Sequence, residues 1–537
     1  MDHIFGTLST DALKLLYHRV GRHGIQHRGS IAPRDPLPGD PVIVEALTGE
    51  DFAPEHAAVY YTTDGSPPDG SRGAARRGEV APMQPVETIW DSLTWRYLTR
   101  WQAVLPPQAD GTTVRYRLGG WTAEREAFAD FPDAQRTVER AADAYFNKRP
   151  EPTAFAGNHQ GITFSYRVDR LRPPAWAKKM TLYHLMVDRF SPGDGRGWAQ
   201  TEDLNALCGG TLWGAAERID HIADLGCDAV WLSPVWESPT HHGYDVTDYT
   251  QVAAHFGGND ALRRFIDEAH ARGIRVILDL VCNHISNQHP FFQEALHNPG
   301  SPCRSWFTFD ESPLGYRAFF GVASMPQVNL ADPGARGWML DVARRWLSEY
   351  DADGYRLDYA NGVTPEFWWA FRAACREAKA DSFVFGEIIE APDMMRTYQG
   401  RLDGTLDFFA AEALRQVYGW KTADAALLPQ KFAAHYAFFD DDFVLPTFID
   451  NHDMDRFLLI AGGDTEAVRR AAAAQFALPQ PPILYYGTEV AAQQKVSVRG
   501  GLGLHVNRVP MPWGDAQDRA MLDYYKTLIR ERKNRLG

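Results

Sequence analysis

Cysteine is scarce in this 537-residue sequence. The five present, Cys208, Cys227, Cys282, Cys303 and Cys375, are scattered, odd in number and free of any C-x-x-C spacing. That pattern argues against a disulfide framework and against a thiolate zinc site. Long apolar runs are missing as well. No stretch approaches the ~20 apolar residues that cross a bilayer, and the first thirty residues hold no apolar segment long enough for a signal peptide. The expectation is a soluble, cytoplasmic protein with no membrane partner. Positive charge is in deficit too, since the formal net charge is −14. Such a surface disfavours nucleic acid and anionic lipid, and it leaves neutral ligands such as sugars open. There is no internal repeat and no low-complexity tract.

With 45% hydrophobic residues, the chain can bury a large core, and its length predicts more than one domain. Residues 1–35 read as a short helical arm and linker ending in "APRDPLPGDP". Residues 36–150 have an all-β texture. The runs "PVIVEAL", "AAVYYTT", "TWRYLTRWQAVL" and "TTVRYRLGGW" are separated by Gly, Pro and Asp clusters, which predicts a β-sandwich. A charged helical segment over 134–147 and "KRPEP" read as the linker that follows.

From residue 175 the texture alternates. Eight short apolar runs recur: "TLYHLMV", "AVWLSP", "RVILDLV", "GYRLDY", "FVFGEI", "GTLDFF", "VLPTFID" and "PILYYG". Amphipathic stretches such as "ALRRFIDEAHARG" lie between them. The pattern predicts an α/β fold, a (β/α)8 barrel over 175–537, with a subdomain inserted after the third strand over about 285–340.

Charged residues collect where those strands end. "DLVCNH" supplies Asp279 and His284, "GYRLDYA" supplies Arg356 and Asp358, "FVFGEI" supplies Glu387, and "TFIDNHD" supplies His452 and Asp453. In a strand, residues i and i+2 share a face, so Arg356 and Asp358 point the same way. Taken alone, that pair reads either as a structural ion pair or as an arginine keeping a nucleophilic carboxylate ionised. Taken with the other strand ends, it reads as part of a site at the carboxyl mouth of the barrel. Glycoside hydrolysis with retention needs two carboxyls ~5–5.5 Å apart, and adjacent strands ~4.8 Å apart can deliver them. Arg356 is expected to depress the pKa of Asp358, and an apolar setting to raise that of Glu387.

In that order, "DLVCNH", "GYRLDYA", "GEI" and "FIDNHD" resemble the four signature segments of the α-amylase family of glycoside hydrolases. "YHLMVDRF", "HHGYDVTDY", "MPQVN" and "NRVPMPW" resemble its supporting motifs. The likeness to the cyclomaltodextrinase, neopullulanase and maltogenic amylase subgroup includes a β-domain before the barrel. The resemblance implies Asp358 as nucleophile, Glu387 as acid/base and Asp453 as transition-state stabiliser. It implies substrate contacts from Tyr244, His242, His284, His452 and Arg508, with Arg356 orienting Asp358 and Asp279 completing the ring. It implies no cofactor, and although relatives often bind calcium at the segment "DRFSPGDG", no metal is expected here. In "DRFSPGDG" only Asp188, Asp194 and backbone carbonyls are on offer, fewer oxygens than calcium takes.

The activity so implied is retaining hydrolysis of α-1,4 bonds in malto-oligosaccharides or cyclodextrins. Glucan transfer and α-1,6 or cyclic-oligosaccharide specificity stay open, and a non-catalytic scaffold is the remote alternative. The N-terminal domain is expected to supply a wall of the site or a homodimer contact, with a starch-binding surface as the competing role. Three positions depart from the subgroup pattern. Tyr359 follows the presumed nucleophile, Gly362 stands where a Glu is usual, and Ile389 where a Trp is usual. The sequence given ends at its last helix, where relatives usually continue into a β-domain, so it is expected to be either a fragment or a minimal form.

Overall fold

The computed structural model describes residues 15, 18, 19, 21–129, 161–201, 203 and 205–537. It divides into two compact units. One runs up to Leu171 and takes in Ile389–Arg401; the other comprises Arg172–Ile388 and Leu402–Gly537. The expected helix over 134–147, the "KRPEP" linker and most of the first twenty residues lie outside the described residues.

In the first unit, antiparallel strands follow the order 25–26, 42–49, 96–105, 79–91, 56–62, 113–121 and 126–128. The 13-residue strand Glu79–Asp91 pairs with His56–Thr62 through its first half and with Arg96–Leu105 through its second. The change of partner falls at "APMQP", where prolines remove donors and the register shifts between Pro85 and Glu87. Alternation then buries one face of Val42–Gly49 and Thr113–Trp121, including Val44, Ala46, Tyr116 and Leu118. The segment before residue 36 is more than an arm and linker. Ile25–Gln26 and Ile31–Ala32 are short strands on Val42–Gly49, because Ile25 and Ile31 bury apolar side chains there.

The second unit is the (β/α)8 barrel. Its parallel sheet runs 404–405, 383–386, 354–358, 275–281, 229–232, 182–185 and 483–485. The expected strand in "VLPTFID" is reduced to two parallel bridges, Gly404↔Val444 and Thr447↔Pro482. They span the gap between the sheet's two ends and so close the ring. Pro446 has no N–H to add to a ladder; its carbonyl instead accepts from Asp407 N at 2.9 Å. Between the third and fourth strands lie the helix Pro290–His297 and a set of irregular bridges. The helix Pro333–Ser348 then begins inside the span expected for the insertion, because the Asp332 side chain caps it by accepting from the N–H groups of Gly334 and Ala335.

Candidate active site

The site is built at the carboxyl ends of the third, fourth and fifth barrel strands. Asp279 and Arg356 are partners across the third and fourth strands, as are Val281 and Asp358. Leu357 pairs with Gly386 on the fifth, so Asp358 and Glu387 stand side by side one step later. Strand spacing alone sets these two carboxyl-bearing residues ~4.8 Å apart along the ladder.

Arg356 sits at the centre. Its Nη1 donates to Asp279 and to Asp358 Oδ1, each at 2.9 Å. Its Nη2 lies 2.9 Å from Glu387 Oε1, at an angle too bent for a hydrogen bond. Asp279 also accepts from the Tyr244 hydroxyl at 2.9 Å and from the Trp231 indole N–H at 3.0 Å. Glu387 Oε2 accepts the backbone N–H of Tyr359 at 3.0 Å.

A second group gathers around His452 and Asp453, just past the seventh strand position, with His242 and Tyr244 from the loop after the second strand and Arg508 from beyond the eighth. His452 Nε2 lies 2.6 Å from the Tyr244 hydroxyl and 3.0 Å from Asp453 Oδ2. The rings of Tyr244 and His452 are parallel within 5°, with centroids 5.4 Å apart. Arg508 donates to Asp453 Oδ1 at 2.8 Å and to the His452 carbonyl at 3.0 Å. His242 stacks at 5.9 Å on Tyr244, whose backbone N–H donates to the His242 Nδ1. His284 reaches the group less directly. It stacks at 4.5 Å on Phe319, which in turn touches Tyr359, and its Nε2 has no hydrogen-bond partner among the described residues.

All ten residues singled out from the sequence thus fall in one connected network. Solvent reaches only part of it. Asp279 and Arg356 are fully buried, whereas the side chains of Asp358, Glu387 and Asp453 keep 10%, 7% and 17% of their surface. Three largely buried acids that solvent still touches, above a sealed ion pair, suit a ligand that enters from outside.

Residues 184–520 match the model of the alpha amylase catalytic domain. The chain belongs to the α-amylase family. It is 36% identical over 370 residues to alpha-amylase 2 of Dictyoglomus thermophilum, covering 68% of this chain and 65% of that protein. It is 31% identical over 471 residues to a cyclomaltodextrinase of Geobacillus thermopakistaniensis, covering 83% and 77%. Among solved structures, the cyclic alpha-maltosyl-(1→6)-maltose hydrolase of Arthrobacter globiformis superposes with a TM-score of 0.62 at 29% identity, over 67% of this chain and 83% of that one.

The electrostatics of this α-amylase-family site differ from the sequence expectation at one residue. Burial outweighs the pull of Arg356, and the Asp358 carboxyl rises to about 7 instead of falling. Crowding adds to burial, since one guanidinium serves Asp279, Asp358 and Glu387. Glu387 also rises to about 7, through burial and the neighbouring Asp358, and Asp279 to about 6 through burial. The Asp358–Glu387 pair therefore holds one proton near neutrality. Arg356 favours that proton on Glu387: Asp358 accepts a well-aligned, charge-assisted bond from it, whereas Glu387 meets it at a bent angle and otherwise accepts the neutral N–H of Tyr359. Asp453 goes the other way; burial pushes it up, but His452 and Arg508 hold it well below the usual carboxylate range. Burial keeps His452 and His284 neutral, with values lowered to about 4 and about 3.

Sequence reasoning missed several contributors. His184 lies in a fully buried strand, stacks 3.6 Å from Trp231 and sits 5.0 Å edge-on to His452. Trp231 carries the Arg356 guanidinium 5.0 Å over its ring. Asn507 donates to the carbonyls of Asn451 and Met454, on either side of His452 and Asp453. Only His184 had a sequence signal, a histidine inside an apolar strand. No cluster able to hold a metal ion occurs among the described residues. The carboxylate of Asp188 is taken up by the N–H groups of Cys208 and Gly209 and by Arg189.

Proposed function

We propose that the protein is a retaining α-glycosidase that hydrolyses α-1,4 bonds of malto-oligosaccharides or cyclodextrins. One observation carries this reading. Asp358 and Glu387 end adjacent strands against a single guanidinium, and both carboxyls are shifted upward. A double displacement starts from such a pair. Ionised Asp358 attacks the anomeric carbon while Glu387 protonates the leaving oxygen. Glu387, now a carboxylate, takes a proton from water as the glycosyl ester is hydrolysed. Asp453, held ionised by Arg508 and His452, accepts hydrogen bonds from ring hydroxyls and favours the positive charge developing on the sugar. Tyr244 and His242 offer ring faces to that sugar, and His284 Nε2 is a polar atom still to be satisfied.

A second reading keeps the residues and changes the bond. The likeness to a hydrolase of a cyclic, α-1,6-containing maltosyl sugar supports small cyclic substrates. The N-terminal β-unit is proposed as a homodimer contact. Five buried, unpaired thiols suit a reducing compartment such as the cytoplasm.

Incubation with maltotriose, panose, cyclodextrin, pullulan and starch, with NMR of the first-formed anomer, tests the proposal. An α-anomer released faster from cyclodextrin than from starch is expected. A β-anomer as first product, or full turnover by Asp358→Asn, would refute it.

A further inference from the structure

Three ring nitrogens of the site have no hydrogen-bond partner among the described residues: Nδ1 and Nε2 of His184, and Nδ1 of His452. Both side chains are fully buried. A polar group sealed away without a partner is costly, and most such groups in folded proteins are satisfied.

His184 stands in a layer of aromatic rings. In the strand Leu182–Leu185 it is level with Trp231 on the second strand and Tyr485 on the eighth. It lies flat on the Trp231 indole, 3.6 Å away and 7° from parallel. The Tyr485 ring is 5.1 Å off. A phenyl ring would stack there equally well and bring no nitrogen to desolvate. Packing therefore does not account for an imidazole at this position.

The group that accounts for it is His452, edge-on with its ring centre 5.0 Å away. The neighbours of His452 fix where its proton is. The Tyr244 hydroxyl donates to Asp279 Oδ2 at 2.9 Å, so at 2.6 Å from His452 Nε2 it accepts. Asp453 Oδ2, 3.0 Å from the same nitrogen, accepts as well. The proton of neutral His452 is therefore on Nε2, and Nδ1 is a bare lone pair that calls for a donor. His184 has one to offer. Burial, with His452 and Arg356 close by, keeps its ring neutral, and a neutral imidazole carries one N–H and one acceptor nitrogen. Were the proton of His452 to move to Nδ1, Nε2 would turn a lone pair on the Asp453 carboxylate. Asp453 would then keep Arg508 and lose its second donor.

We propose that His184 is a positioning residue: its N–H reaches His452 Nδ1 through one buried water and so locks His452 in the tautomer that donates to Asp453. The inference rests on the glycosidase reading above and extends it to a residue that touches no sugar. Polar groups too far apart for a direct bond are ordinarily linked by a water that both can hold. Here the water accepts from His184 and donates to His452.

Two substitutions separate this role from packing. His184→Phe keeps a ring against Trp231 and has no N–H. His184→Gln has no ring and keeps a donor and an acceptor. On maltotriose and cyclodextrin, His184→Phe is expected to lower kcat about tenfold with KM little changed, the effect of one lost buried hydrogen bond. His184→Gln is expected to recover most of that loss. The reverse order, an active phenylalanine variant and an impaired glutamine variant, would assign His184 to packing and overturn the proposal. Equal rates or equal losses in the two variants would overturn it too.

A second measurement needs no change at position 184. In protein isotopically labelled at its histidine nitrogens, the NMR signals absent from His452→Gln report His452. A proton on Nε2 and an Nδ1 shifted upfield by a hydrogen bond are expected. A proton on Nδ1, or an Nδ1 with the shift of a free imidazole nitrogen, would overturn the proposal. If the wild-type protein leaves maltotriose and cyclodextrin intact, the glycosidase reading fails and this inference fails with it. Normal wild-type turnover with the reverse order of variants defeats this inference alone.

Discussion

Arg508 and Asp453 meet at 2.8 Å, and the same guanidinium donates to the carbonyl of His452 at 3.0 Å. One side chain therefore fixes both the carboxylate and the backbone that carries it. Lysine would keep the charge and lose the two-point grip. Arg508→Lys is expected to lower kcat about 10²-fold, the usual cost of a small misplacement of a reacting group, with KM moving little. Steady-state kinetics on maltotriose and the affinity for a planar, cationic sugar mimic should fall together. A variant with reduced thermal stability but intact kcat would show that Arg508 only supports the fold.

The shared proton predicts the pH profile. Asp358 and Glu387 both rise to about 7, so the two apparent values belong to the pair. Below the lower one the nucleophile gains a proton; above the upper one the acid has lost its own. The expected kcat/KM is a bell centred near neutral pH. Asp453 is held well below the usual range and adds no third limb. Glu387→Gln should abolish the alkaline limb along with about 10²–10⁴-fold of the rate on unactivated glucans. An alkaline limb that survives in this variant would assign the proton to another group.

Much of the barrel was legible because its signal is local. Each buried parallel strand is a short apolar run, and each run ends in the polar residue that its position at the mouth allows. The seventh strand is the exception, since Pro446 breaks the ladder that "VLPTFID" otherwise suggests. The pKa of Asp358 was misread for a different reason. The sequence displays Arg356 two residues away, but not Asp279 and Glu387 drawing on the same guanidinium from neighbouring strands. Clearance was likewise hidden, because nothing in "YANG" says that Gly362 makes room for the ring of Tyr359. Trp231 and Asn507 act through an indole N–H and an amide, groups whose partners only tertiary structure supplies.

Arg356 is fully buried among three acids, which predicts how its loss depends on pH. Removing one partner of a buried ion cluster costs about 3–5 kcal/mol. In Arg356→Met the acids lose their counter-charge, so their folded-state values rise further above the unfolded ones. A raised carboxyl value means that the folded state holds protons the unfolded state has released, so stability falls as pH climbs. The deficit against wild type is therefore expected to be larger at pH 8 than at pH 5. Denaturant titrations at the two pH values check this, and a deficit independent of pH would assign the loss to packing alone.

His27 predicts the opposite trend in the first unit. Its Nδ1 lies 2.6 Å from the Glu45 carbonyl and its Nε2 2.6 Å from the Tyr116 hydroxyl, so the ring donates to the first and accepts from the second. Burial lowers it to about 4; the Glu45 carbonyl opposes the shift and Arg401 adds to it. Between its ordinary value of 6.5 and about 4, the unfolded chain binds a proton that the folded unit refuses. The stabilisation is complete above the upper value and drains away as pH falls towards the lower one, to a total of about 3 kcal/mol. His27→Gln removes the titration and keeps an acceptor for Tyr116. Its unfolding free energy should lie below that of wild type at pH 7.5, and the gap should close as pH approaches 4. A gap that stays constant across that range would mean that His27 takes up its proton without unfolding the sheet around it.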